Sequence, residues 1–248
     1  MLAVGGCGPT PHRSRAVVRI AAAADLRYAL DELTRRFAAQ RPDVDVTVSY
    51  GSSGSFYAQI ENGAPFDVFL SADAAYPRRL ETVGLADPDA EFTYAVGRIV
   101  LWAAGSSPVD VGRGFEALGD PRVTRIAIAN PEHAPYGRAA IAALHSAGVY
   151  ERTAQKLVYG ENVSQALQFV QTGAADVGIV ARSLVVVPAT STGRFWDIPQ
   201  KYYPTIEQRG TILKTAASAE AARAVRAFLL SRDAIEVLKR YGFSVGQE

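Results

Sequence analysis

Apolar positions along this chain recur at two periods in turn, and their alternation predicts the architecture. Val17, Val18 and Ile20 make a short β-branched run, and after four alanines Asp25 stands before Leu26, Leu30, Leu33 and Phe37 at helical spacing. Pro42 stops that helix, and Val44, Val46 and Val48 then alternate with Asp45, Thr47 and Ser49 as a half-buried strand. Gly51-Ser52-Ser53-Gly54 opens a second helix through Ile60, Val68 to Leu70 form a third strand, and a helix follows from Ala74 to Val83. The pattern restarts with strands at Ile99 to Trp102 and Ile126 to Ile128, a turn from Asn130 to Gly137, and an Ala-rich helix to Ala147. Gly160-Glu161-Asn162 caps a helix with Val163, Ala166, Leu167 and Val170 on one face, before a strand at Val177 to Val180. Thr211 to Leu213 and helices over 219–230 and 233–241 close the chain. Strands alternating with helices give an α/β fold, and two such halves exceed one small sheet, so two lobes with a cleft between them are expected. Ligands of such sheets collect where strands end and helix N-termini face the crevice.

Composition narrows the class without naming it. The 248 residues are 48% hydrophobic and 21% charged with a net charge of +1, an ordinary globular balance with no charge excess pointing to nucleic acid. No window holds the roughly 18 consecutive apolar residues of a membrane-spanning helix. The one cysteine excludes an internal disulfide and a Cys-based zinc site. Val4-Gly5-Gly6-Cys7 resembles a lipobox, which implies export and a lipid anchor through Cys7, and residues 1–16 read as a signal remnant or tether.

Four strand-to-helix corners carry the candidate chemistry. Asp25, the Ser52-Ser53 pair, Tyr136 and Val163 each lie at or near a helix start, two from each half. A helix start leaves unpaired N–H groups and about half a positive charge, so four converging on one cleft suit an oxyanion. Any single corner alone reads more readily as a helix cap, and the Gly-Ser-Ser-Gly loop lacks the Lys of a phosphate-binding loop, so it is their joint occurrence that points to a site. No His, Cys and carboxylate cluster has metal-ligand spacing, so no bare cation site is expected. Ser53 with His133 forms a hydrolase pair on paper, but no Gly-x-Ser-x-Gly elbow is present, and His133 reads as a solvent-facing turn residue. Trp196 and Tyr202-Tyr203 read as lobe packing rather than a stacking surface.

Ala22 to Leu26 (AAADL), Gly51 to Gly54, Gly63 to Asp67 (GAPFD) with Ser71-Ala72-Asp73, Asn130 to Gly137 (NPEHAPYG) and Gly160 to Val163 (GENV) together resemble the periplasmic molybdate-binding proteins of bacterial ABC importers. The similarity runs in order from Val17 to Phe243. It implies a type II periplasmic-binding fold, each lobe a mixed sheet flanked by helices, with lobe I at 17–95 plus 209–248 and lobe II at 96–208. The implied crossings lie near Tyr94 to Gly97 and near Ile206 to Gly210. It further implies molybdate or tungstate as ligand, no cofactor and no catalysis, a membrane permease as partner, a monomer, and a periplasmic or cell-envelope location. By position the oxyanion donors are Asp25, Ser53, Tyr136 and Val163, with Ser53 giving its hydroxyl and N–H and Tyr136 and Val163 their backbone N–H groups. Asp25 departs from the neutral residues of many relatives, and its carboxylate is expected to turn away and cap its own helix while its N–H faces the ligand. Ala181 stands where some relatives carry a ligand-contacting Tyr. The alternatives are a binding protein for sulfate, phosphate or a small organic anion, or a hydrolase using Ser53 and His133.

Overall fold

The computed structural model describes residues 15–245. Cys7 lies outside them, as does all but the end of the expected tether, and Ala16 already belongs to the first strand.

From its beginning the described chain runs β1 (Ala16–Ala23), a 3-10 turn (Ala24–Leu26), α1 (Arg27–Gln40), β2 (Val44–Gly51), α2 (Ser53–Glu61), β3 (Val68–Ser71), α3 (Ala75–Thr82) and β4 (Phe92–Gly97). A second series follows: β5 (Ile99–Ala103), β6 (Ile126–Ala129), α4 (Pro135–Ser146), α5 (Tyr150–Thr153), β7 (Leu157–Gly160), α6 (Val163–Gln171), β8 (Val177–Ala181) and β9 (Arg194–Asp197). The chain closes with β10 (Ile206–Ile212), α7 (Ala219–Leu229) and α8 (Arg232–Arg240).

These strands form two five-stranded mixed sheets, ordered β2-β1-β3-β10-β4 and β7-β6-β8-β5-β9. In the first, β1 is parallel to β2 and β3 while β10 is antiparallel to β3 and β4; in the second, β6 is parallel to β7 and β8 while β5 is antiparallel to β8 and β9. The same plan is thus used twice. The chain leaves the first sheet through Arg98 and returns through residues 198–205.

Pairing moves the sheet boundaries from those read in the sequence. Val96, Gly97 and Ile206 to Gln208, expected in the second lobe, belong to the first sheet, because β4 and β10 are each other's antiparallel partners. The last strand also starts five residues before the expected Thr211, and β4, β7 and β9 are strands that local pattern did not predict.

Helices cover both faces of the first sheet. On one, α1 buries Leu30, Leu33 and Phe37 at helical spacing with Val225 and Phe228 of α7 and Val237 and Leu238 of α8. Each such side chain contributes about 1.5–3 kcal/mol of burial. On the other face Phe56 and Ile60 of α2 pack with Phe69 and Leu80. A third core joins the second sheet to α4 and α6, and includes Ala23, Ala24 and Ala72 from the first sheet's strand ends. The halves therefore touch where the strands finish.

Aromatic packing follows the sequence reading: Phe115 meets Trp196 and Tyr202 edge-on, each at 5.2 Å between ring centres. Asp67, from the Gly63 to Asp67 motif, is buried and accepts from the amides of Arg19 at 2.6 Å and Ala217 at 2.8 Å, tying β1 to the segment before α7. That motif serves the fold rather than the cleft.

Candidate functional site

Four corners meet in one small cavity between the sheets, with a volume of about 10 Å³, bordered by Asp25, Ser53, Tyr136 and Val163. Each corner is built differently. At the second, Ser52 caps α2 and its Oγ accepts from the Ser55 amide at 3.3 Å, which leaves Ser53 at the first helical position and fully buried. Ser53 Oγ accepts from the Ala72 amide at 2.9 Å, so its own proton is free to donate. At the third corner Ala134 precedes Pro135 and has no side chain able to cap, so the Tyr136 amide belongs to the unpaired set of a helix start. At the fourth, Asn162 Oδ1 accepts from Ser164 at 3.0 Å and Gln165 at 3.1 Å, which bypasses the Val163 amide. Among the described residues, no Lys, Arg or His borders the cavity. Its positive potential comes from the starts of α2, α4 and α6.

Asp25 does not behave as the sequence reading expected. It sits inside the 3-10 turn, α1 is preceded by Leu26 with no side-chain cap, and the carboxyl instead reaches across the cleft. Its Oδ2 accepts from Tyr136 Oη and from Gln208 Nε2, both at 2.9 Å. Tyr94 Oη donates to Gln208 Oε1 at 2.9 Å, fixing which end of the amide faces Asp25. Oδ1 is buried and has no hydrogen-bond partner among the described residues. Burial pushes the Asp25 carboxyl up to about 7 against the lowering effect of its hydrogen bonds with Tyr136, its own backbone and Gln208. Burial likewise holds the Tyr136 and Tyr94 hydroxyls well above their usual range, so both stay protonated donors.

Further bonds join the halves around the cavity. Ser164 Oγ donates to the Ala24 carbonyl at 2.9 Å, Ser183 Oγ to the Asp25 carbonyl at 2.8 Å, and the Gly54 amide to the His133 carbonyl at 2.9 Å. Arg138 bonds Asp73 at 2.5 Å. Two glycines permit the close approach: a Cβ on Gly54 would lie 2.6 Å from the His133 carbonyl oxygen, and one on Gly97 would overlap the Tyr136 hydroxyl.

His133 is half-buried rather than solvent-facing, because its carbonyl carries that bond across the cleft and its Nε2 lies 3.0 Å from the Glu161 carbonyl oxygen. Ser53 Oγ is engaged with Ala72, so the two side chains make different contacts. Ala181 is buried at the end of β8, where it offers no side-chain donor. Gln208, Tyr94 and Ser183 were missed in the sequence. No local signal marked Gln208: only the pairing of β10 turns it inward with Ile206 and Gly210, where it is fully buried.

The model of the bacterial extracellular solute-binding protein family matches residues 18–244. Over 198 residues the chain is 46% identical to the molybdate-binding protein ModA of Rhodobacter capsulatus, covering 80% of this chain and 77% of that one. It is 40% identical over 231 residues to the molybdate-binding protein ModA of Azotobacter vinelandii, covering 93% and 90%. A solved periplasmic molybdate-binding protein of Azotobacter vinelandii superposes with a TM-score of 0.87 at 34% identity, covering 93% of this chain and all of that one.

Proposed function

Because this chain belongs to the family of bacterial extracellular solute-binding proteins, we propose that it is the binding component of an ABC importer, carrying molybdate, or tungstate of the same shape, to a membrane permease. The observation that carries this reading is the small cavity between the sheets, where the Ser53 hydroxyl and the starts of three helices converge with no cationic side chain among the described residues. A buried tetrahedral dianion needs its charge met by many fixed donors, and helix amides supply them with no side-chain entropy to lose. Ser53 gives its hydroxyl and amide, Tyr136 and Val163 their amides, and Asp25 completes the ring from the first sheet. The anion is cargo, and no bond is made or broken.

In this reading one lobe comprises the first sheet with its helices, and the other spans β5 to β9, joined at Arg98 and residues 198–205. Bonds across the cleft, such as Ser164 to Ala24 and Arg138 to Asp73, hold the closed form. Donors from both lobes gather round one anion only on closure, so ligand shifts the population toward the form a permease would recognise. Both halves of the site come from one chain, which suits a monomer. Lipidation at Cys7 is tested by the intact mass of protein taken from membranes.

The deciding experiment is calorimetric titration of ligand-stripped protein with molybdate, tungstate, sulfate and phosphate. One-to-one heat with molybdate and tungstate, and none with the other two, is the expected result. Heat with sulfate or phosphate alone would keep the fold and replace the cargo.

A further inference from the structure

Resting on that oxyanion reading, we propose that Asp25 enters the closed site as a neutral carboxylic acid whose Oδ1–H donates a hydrogen bond to the bound anion, so that binding takes up a proton. The two carboxyl oxygens are already sorted for these roles. Oδ2 receives two donors, Tyr136 Oη and Gln208 Nε2, as the carbonyl oxygen of an acid would. The amide end facing Asp25 is fixed by Tyr94 on Gln208 Oε1. Oδ1 is the oxygen left over: buried, unpartnered, and part of a residue bordering the cavity. Left ionised, it would place a bare negative oxygen beside a dianion inside the protein, a repulsion that water cannot screen there. Protonated, the same atom becomes one more donor in a ring of donors.

Among the described residues, no charged partner is placed to hold Asp25 ionised. On α1, Arg27 lies over the Tyr50 ring and Asp31 accepts from Tyr50 Oη; α6 carries no charged residue. Beyond β8, Arg182 pairs with Asp197; on α4, Arg138 pairs with Asp73; and on β10, Arg209 pairs with Glu207. The titratable groups that do face Asp25 are Tyr136 and Tyr94, both neutral. Burial raises the carboxyl to about 7 before any anion is present, and a neighbouring dianion moves it further the same way.

A specificity follows for the class of cargo. A ring made only of donors suits a fully deprotonated tetrahedral oxyanion and gives the O–H of hydrogenphosphate nothing to bond to. While protonated, Asp25 offers such an O–H no acceptor, the reverse of what an ionised carboxylate at this place would do.

The test is calorimetry of the wild-type protein with molybdate in paired buffers of different ionisation enthalpy, which counts protons bound per anion. Between about pH 7 and about pH 9, uptake should approach one proton and affinity should fall toward tenfold per pH unit. Asp25→Asn, which keeps a donor but cannot titrate, should lose both the uptake and the slope. An infrared difference spectrum of the wild type at about pH 8 should gain a carboxylic-acid carbonyl band on adding molybdate, a readout that needs no variant. Tight molybdate binding with no proton taken up, or a slope that survives Asp25→Asn, overturns the assignment of Asp25. Absence of heat with molybdate and tungstate at any pH instead overturns the oxyanion reading beneath it.

Discussion

Closure is set by a glycine, and replacing it should cost affinity without costing stability. Gly54 is the second residue of α2 in the first half, and its amide donates to the His133 carbonyl of the second half at 2.9 Å. A Cβ at this position would sit 2.6 Å from that oxygen, whereas ordinary van der Waals contact begins at 3.4 Å, so Gly54→Ala pushes the carbonyl back by about 0.8 Å. The Tyr76 hydroxyl, 2.7 Å from the same Cβ, ends a side chain that can swing aside; the His133 backbone cannot. Tyr136 and Val163 belong to the half that retreats. A bond of about 2.9 Å lengthened by that much passes the range in which it counts as a hydrogen bond. Two such bonds to an anion are worth about 3 kcal/mol together, so molybdate affinity should fall about 100-fold. The ligand-free protein should melt no lower, since Ala is a better helix residue than Gly. Calorimetry gives the affinity and thermal unfolding the stability. A Kd within about threefold of wild type would refute the claim that the Gly54 to His133 approach sets the closed geometry.

Other perturbations separate the remaining parts. Ser53→Ala removes a ligand donor and strands the buried Ala72 amide, so affinity should drop about 10-fold or more, and the melting temperature should fall by a few degrees for the 1–3 kcal/mol lost. Asp73→Ala and Arg138→Ala break a pair in which both side chains are partly exposed, so each should weaken binding by less than about fivefold, an effect that fades in molar salt. Glu32, in the middle of α1, is raised by burial, but hydrogen bonds from Arg240, Tyr241 and Arg36 outweigh this and hold its carboxyl below 4.5. Because the folded value is the lower one, the stabilisation is fully present above 4.5 and is lost as pH falls below 4.5 through the folded value. Glu32→Gln should therefore lower the melting temperature at about pH 7, and that deficit should shrink as the pH falls below 4.5.

Much of this protein was legible locally. The helical spacing of Leu26, Leu30, Leu33 and Phe37, the alternation of Val44, Val46 and Val48, and the caps at Ser52 and Asn162 each concern residues a turn or a few positions apart. Such signals survive in one dimension because the period of an element and the pairing of its first amides are short-range properties. They were enough for the α/β class and for the corners at Ser53, Tyr136 and Val163, which the fold brings to one cavity. The edge strand β9, Arg194 to Asp197, and the polar start of β10 carry no such period and became strands only through partners far along the chain.

Asp25 marks the limit most clearly. Sequence placed it at a helix start and suggested the role such a residue has locally, a cap. Tertiary structure gave it Tyr136, 111 residues away, and Gln208, 183 residues away, and removed it from water. The sequence by itself determined the periodic strands and helices and which amides are left unpaired at the helix starts. Whether a carboxyl among those ends accepts, donates or carries charge was decided only by packing, because protonation is set by solvent exclusion and by neighbours that folding brings from the other half of the chain.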